Sequence, residues 1–412
     1  MDESVKETVI IPVMFSPEIE AALEATLVVA NELLGDELLT AVLFGDLAGG
    51  YFQVGESTVD LLLLTKGEPP WQELREAYRP VWQQHGPHLR RAPLVASQAS
   101  WQRYAFLKPH FVYQVENTGQ ILQGTLPVTG VVNDQLLAYG ELCCRARDAS
   151  ASLAPGLLHP EARANAQQNL RGLARQLGSA PLNAQSDVAL LALVQTRLNL
   201  MADALGLAEP DLPEQPDAPP PLPALLAIYE KVDQLMLIMP DLDADTLTSI
   251  DWPEVAERVA ADYGSLHLCT PRQLQAALQY YSPISLKLRH YDHAWGIDFL
   301  ADLPVEMRLV FLEAARTPAQ IQLEALPSAY LAATDEELGK LVHDFQNRLL
   351  NVQLQHELFQ RLLKIDRALP DQPLLRREYT FPERVASTMY HLNWWADHYL
   401  SLATQAAQNE SP

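Results

Sequence analysis

Residues Ala41–Leu64 read AVLFGDLAGGYFQVGESTVDLLLL. An apolar run, Ala41–Phe44, meets Gly45 and a turn that holds a second glycine, Gly50. A polar connector follows. A second apolar run, Val59–Leu64, then carries a single acid, Asp60, near its start. Short apolar runs bounded by turn residues are the pattern of buried strands. Glycine marks backbone that must take a positive φ or lie close to another group.

Upstream, residues 8–15 form a strand or an extended arm. Ser16-Pro17-Glu18 is a helix start, with Ser as N-cap, Pro at the first helical position and an acid in the first turn. Ile19, Leu23, Leu27, Ala30 and Leu34 share one helical face, and Gly35 ends it. Downstream, Lys66-Gly67-Glu68-Pro69-Pro70 breaks the chain before a helix over Trp71–Gln84. A third strand is expected over 89–96 and a short helix over 100–108. Phe111–Val115 and Gln120–Gln123 are expected as a hairpin across Asn117-Thr118-Gly119. Residues 1–131 thus read as a small mixed-sheet α+β domain. Residues 132–208, rich in Ala, Leu, Gln and Arg, read as a helical bundle. Residues 209–223, EPDLPEQPDAPPPLP, read as a Pro-rich acidic linker. Residues 224–412 read as a helical domain. There Thr334 caps a helix running to about Leu369, and Pro382 opens a second that folds back on it. No repeat of fixed period is visible.

The chain has 412 residues, more than one ordinary core, and a net charge of -23. That charge repels phosphate backbones and anionic membranes, so general nucleic-acid binding is not expected. The acidity is uneven: residues 209–262 hold 13 acids against two bases. No apolar run is long enough to span a membrane. Cys143, Cys144 and Cys269 form no disulfide framework, and the acidic start MDESVKET is no signal peptide. Both features point to a cytoplasmic protein.

The order helix, strand, glycine turn, strand with an early acid resembles the nucleotidyltransferase superfamily of polymerase-beta type, nearest its minimal and aminoglycoside-modifying branches. That family's motif is a strand ending in Gly-Ser, a second glycine, then Asp-x-Asp on the next strand. Gly45 and Gly50 match the two glycines. Ser57-Thr58-Val59-Asp60-Leu61 overlies the family's Ser-Asp-x-Asp-Leu. The resemblance covers about residues 16–125. It implies nucleotide binding by Gly45, Asp46, Gly50, Ser57 and Thr58, with Asp60 as a Mg²⁺ ligand. Two carboxylates two apart on a strand share a face and, with a third, hold the metal that bridges a triphosphate.

The departures fall on the catalytic points. Asp46 stands where the family has Ser, and Thr58 where it has the first metal carboxylate. The third strand offers Arg90 and Arg91 but no acid. The expectation is a catalytically degenerate member, a pseudoenzyme that binds a nucleotide or a protein partner as a regulatory module. Two alternatives stand beside it. One is an active Mg²⁺-dependent transferase that uses Asp46 and Asp60. The other is a HEPN-type ribonuclease in the helical half, with Arg384 and His391 acting on an RNA phosphodiester. His290, Asp292 and His293 are close enough in sequence to start a metal site.

Overall fold

The computed structural model describes residues 16–50, 52–55, 57–132, 134–151, 153–154, 160–178, 186–212, 225–280, 288, 290–301, 307–365, 369–371 and 379–409. The N-terminal arm and most of the Pro-rich linker lie outside them. The chain divides into two compact units, one of residues 1–132 with 310–412, the other of residues 133–309.

The first unit begins with α1 (Pro17–Leu34), whose N-cap Ser16 accepts from the Ile19 amide. Strand β1 (Leu38–Phe44), a short helix α2 (Gly45–Ala48), β2 (Asp60–Thr65) and α3 (Trp71–Leu89) follow. Then come β3 (Leu94–Ser97), α4 (Gln98–Leu107), α5 (Pro109–Thr118) and β4 (Gln120–Gly124). The sheet order is β3-β2-β1-β4, with only the β2–β3 pair parallel. The expected hairpin at 111–123 is half wrong. Residues 109–118 are helical: Pro109 starts the turn, and Val112 and Val115 bury one face. Only β4 is extended, and its partner is β1. A short apolar run cannot by itself separate strand from helix.

The second unit opens with three helices, α6 (Gln135–Ser150), α7 (Pro160–Gln176) and α8 (Asp187–Ala204). The next segment corrects the all-helical expectation for 224–412. It holds β5 (Ala227–Lys231), β6 (Gln234–Ile238), α9 (Ala244–Ser249), α10 (Trp252–Asp262), β7 (Ser265–Cys269), α11 (Pro271–Tyr280) and β8 (Asp292–Gly296). Leu170, Leu190, Val194 and Leu198 of its helices share one core with Tyr229, Met236, Ile238 and Leu268 of its strands. Cys143, Cys144 and Cys269 are free and buried there. Burial pushes the Cys143 and Cys269 thiols up to about 12, so they behave as inert apolar groups.

The second sheet, β7-β6-β5-β8, repeats the first in order and direction. The match extends to single residues. Thr40 pairs with Gly124 and Ala227 with Gly296; each pairing slips by one residue just after, between Ala41 and Val42 and between Ile228 and Tyr229. Both glycines have positive φ, +71° and +88°. The chain is therefore a structural duplication with no fixed sequence period. In the first copy Phe44 pairs with Asp60; in the second Lys231 pairs with Gln234. Gln234 thus occupies the place of Asp60.

The chain returns to the first unit with α12 (Met307–Gln320), a π-turn (Ile321–Ala325), α13 (Leu326–Ala332), α14 (Asp335–Leu363) and α15 (Phe381–Asn409). Thr334 and Glu337 close a capping box on α14, which stops at Leu363, short of the expected Leu369, where Lys364 turns left-handed. Arg75 of α3 donates to the Ala333 carbonyl and to Asp335, both at 2.9 Å. Arg103 of α4 reaches Asp397 of α15. These contacts bind the returning helices to the first sheet's own helices.

Between α14 and α15, the His356 ring packs 4.7 Å from Trp395 and 5.1 Å from His398. Burial, with the neighbouring His398, lowers the His356 pKa to about 4. A ring kept neutral when folded but able to protonate when unfolded supports the fold above the unfolded value of 6.5. That support drains away as the pH falls from 6.5 to about 4. The span from 6.5 to about 4 corresponds to at most about 3 kcal/mol, and solvent screening discounts this to about 1–2 kcal/mol. The opening free energy of α14 and α15, read from amide exchange after correction for the intrinsic pH dependence of the exchange rate, is therefore expected to fall by about 1–2 kcal/mol between pH 7 and 4.5. His356→Phe should flatten that dependence; an equal acid effect in the variant would assign it elsewhere.

Candidate functional site

The glycine turn is built around one carboxylate. Gly45 follows β1 with φ +71°, and a Cβ there would stand 2.5 Å from the Asp60 Oδ2 atom. Gly45 is thus required by conformation and by close approach. Asp60 heads β2, and its side chain is 15% exposed. Its Oδ1 accepts from the Thr58 hydroxyl at 3.0 Å and from Arg91 Nη1 at 3.1 Å. Arg91 Nη2 meanwhile donates to the Glu324 carbonyl at 3.1 Å. Burial raises the Asp60 pKa above the ordinary carboxylate value, against Arg91 and Thr58, which pull it down.

Ser57 is bonded within the turn. Its hydroxyl donates to Asp46 Oδ2 at 2.7 Å and accepts from the Gln53 amide at 3.1 Å. The Ser57 amide returns to the Gln53 carbonyl at 2.9 Å. Asp46 and Ser57 therefore staple the connector shut across its own ends. Gly50, at φ +77°, has open space where a Cβ would be; its glycine serves the turn and no close contact.

The donor set does not fit Mg²⁺. A hard cation needs several oxygens around it. Asp60 is instead neutralised by a guanidinium, and Asp46 is engaged by Ser57. Among the described residues no group of three His, Cys, Asp or Glu side chains could hold a metal. That includes Asp292 and His293, which lie exposed on β8.

Two members of this site carry no motif in the sequence, Lys108 and Glu324. Lys108 Nζ stands 3.1 Å from Glu324 Oε1. Burial raises the Glu324 carboxyl to about 7, with Arg91 opposing. Glu324 sits on the π-turn, where the Leu326 amide reaches back to the Ile321 carbonyl. Pro327 has no N–H to return to Leu323, which loosens the turn. The one signal in the sequence is a lone acid in the apolar stretch AQIQLEALP beside that proline. Wide turns of this kind are frequent at functional sites.

Arg384 and His391 are placed against ribonuclease chemistry. His391 is fully buried, with Nδ1 2.6 Å from the Ser387 carbonyl. Arg384 donates to the Tyr379 carbonyl and lies over the Phe381 ring. Among the described residues that imidazole has no surface open to solvent. No helix among the described residues is long and apolar enough to cross a membrane. In comparisons with known proteins, no family model, no curated protein and no solved structure matches this chain.

Proposed function

We propose that the first unit is a nucleotidyltransferase-type scaffold that has lost its transfer chemistry and works as a binding and regulatory module for a nucleotide or a protein partner. The observation that carries this reading is the Arg91–Asp60 pair, 3.1 Å apart. It places a fixed organic cation on the one carboxylate left of the metal-binding pattern. The duplicated sheet supports the same reading. There the place of Asp60 is taken by Gln234, whose side chain accepts from the Tyr291 hydroxyl at 2.8 Å. Its strands β5 and β6 are joined by Val232 and Asp233 alone, without a glycine-rich connector.

The test is incubation of the intact chain with labelled nucleoside triphosphates and Mg²⁺, followed by search for labelled product. No transfer is expected. A ligand that binds the native state must raise its melting temperature. Titration with each triphosphate is therefore expected to give a shift of a few degrees that does not depend on Mg²⁺. Transfer that disappears in Asp60→Ala would overturn the reading in favour of an active enzyme.

A further inference from the structure

A cleft of about 520 Å³ opens beside the π-turn, walled by residues of α12, the π-turn and α14. Its volume lies in the range of pockets that enclose a nucleotide-sized molecule. Ile321 and Val352 give it apolar faces, Gln320 and Asn351 line it with amides, and Glu324 and Arg348 bring opposite charges. Arg348 is exposed, with its guanidinium 5.2 Å over the Phe345 ring, and pairs with no carboxylate among the described residues. Glu324 is held in place from behind. Lys108 takes its Oε1, and Arg91 takes its backbone carbonyl. Its side chain remains 29% exposed, and Oε2 has no hydrogen-bond partner among the described residues. An oriented acceptor, two amides able to donate and accept, apolar walls and one unspent guanidinium suit a flat polar heterocycle that bears an anionic group.

We propose that this cleft binds a purine nucleoside monophosphate and prefers guanine. Guanine presents two adjacent donors, N1–H and the exocyclic N2 amine; Oε2 of Glu324 can accept one, and Oε1 the other through the lone pair that its bond from Lys108 leaves over. Adenine places an acceptor, N1, beside its exocyclic amine, so a carboxylate would face a lone pair. The amides of Gln320 and Asn351 can serve the remaining ring edge. The phosphate would take a charge-assisted bond from Arg348. The glycine turn is the poorer phosphate site, because Asp46 and Asp60 both lie there and Arg91 is paired with Asp60. The two places are separate, with the Arg91 guanidinium bridging them, Nη1 on Asp60 and Nη2 on the Glu324 carbonyl. The inference rests on the nucleotide-binding reading for its ligand class and departs from it in where the ligand sits.

Calorimetric titration of the full chain with GMP and AMP, without metal and at pH 8.5, where the Glu324 carboxyl is ionised, tests it. GMP is expected to bind at least about tenfold more tightly than AMP, the usual worth of one bidentate base contact. Arg348→Ala, a change at an exposed side chain, should weaken both by about tenfold. Glu324→Gln should abolish the preference for GMP. Retained circular dichroism and melting temperature in these variants would show that they fold. No heat with GMP at about 5 mM, or unchanged GMP affinity in both variants, overturns the proposal. Loss of GMP binding in Asp60→Asn with Glu324→Gln unaffected also overturns it, while leaving a nucleotide site at the glycine turn standing.

Discussion

Gly124→Ala is expected to destabilise the first unit by about 3–5 kcal/mol. Gly124 has φ +71°, a conformation that costs an L-residue about 1–2 kcal/mol. The greater part of the loss is steric. The added Cβ would lie 2.0 Å from the Leu39 carbonyl oxygen, which is backbone and cannot step aside. That carbonyl also accepts from the Thr125 amide at 3.1 Å, so relieving the clash breaks the bond that ends the β1–β4 pairing. Gly296→Ala should do the same to the second unit. Its Cβ would lie 2.1 Å from the Leu226 carbonyl, which accepts from the Ile297 amide at 2.9 Å. Gly130→Ala is the control: φ is +77°, with nothing within 4 Å, and a cost of only about 1 kcal/mol is expected. Urea midpoints read all three, and amide exchange in β1 and β5 assigns each loss to its unit. A Gly124→Ala variant no less stable than Gly130→Ala would refute the account of the bulge.

Arg91→Ala is expected to cost about 3 kcal/mol at pH 8, within the range for stranding one partner of a buried ion pair. Asp60 would keep the Thr58 hydroxyl but lose its only described cation, and the Glu324 carbonyl would lose a donor. The pH dependence has a definite sign. Asp60 already has its carboxyl raised by burial, so its ionised form works against folding even in the native protein. That penalty is absent below the ordinary value of 3.8 and enters as the pH rises through and above it. Removing Arg91 deepens it. The variant should therefore lie closest to the native protein in acid and furthest from it at pH 8. Asp60→Asn in the Arg91→Ala background should restore most of the loss, since an amide has no charge to desolvate. The Arg91 side chain is 31% exposed, so Asp60→Asn alone leaves a guanidinium that water can still reach. Urea midpoints across pH for the native chain, both single variants and the double variant complete the cycle. A pH-independent loss in Arg91→Ala would mean that its packing against the π-turn, and no charge on Asp60, is what matters.

The two sheets share their bulge and differ in their connectors. Both copies keep the bulge and its glycine, which hold the strands in register. Neither keeps a set of carboxylates for a metal among the described residues. What differs between copies is the connector after the first strand, long and glycine-rich in one and a two-residue turn in the other.

Elements with local signals were legible in the amino-acid order alone. Ser16-Pro17 and the spacing of Ile19, Leu23 and Leu27 define α1, and Thr334 with Glu337 defines the start of α14. These rest on a cap and a period within a few residues, where the chain's own chemistry decides. The strands on either side of the glycine turn were legible for the same reason. The second sheet was not. Its strands are short, β8 is largely exposed, and nothing in five residues tells a strand from a helical turn until partners supply hydrogen bonds. The site shows the same division. Gly45, Asp46, Ser57 and Asp60 lie close in sequence and could be named from it. Arg91, Lys108 and Glu324 come from three segments, with Arg91 and Glu324 233 positions apart. Only the return of the helical segment to the first unit brings Glu324 against them and turns an acid of ordinary appearance into a buried, oriented one. At the glycine turn, too, folding settled what a nearby residue does: Arg91 takes the place beside Asp60 that charge balance in a closed site requires to be filled.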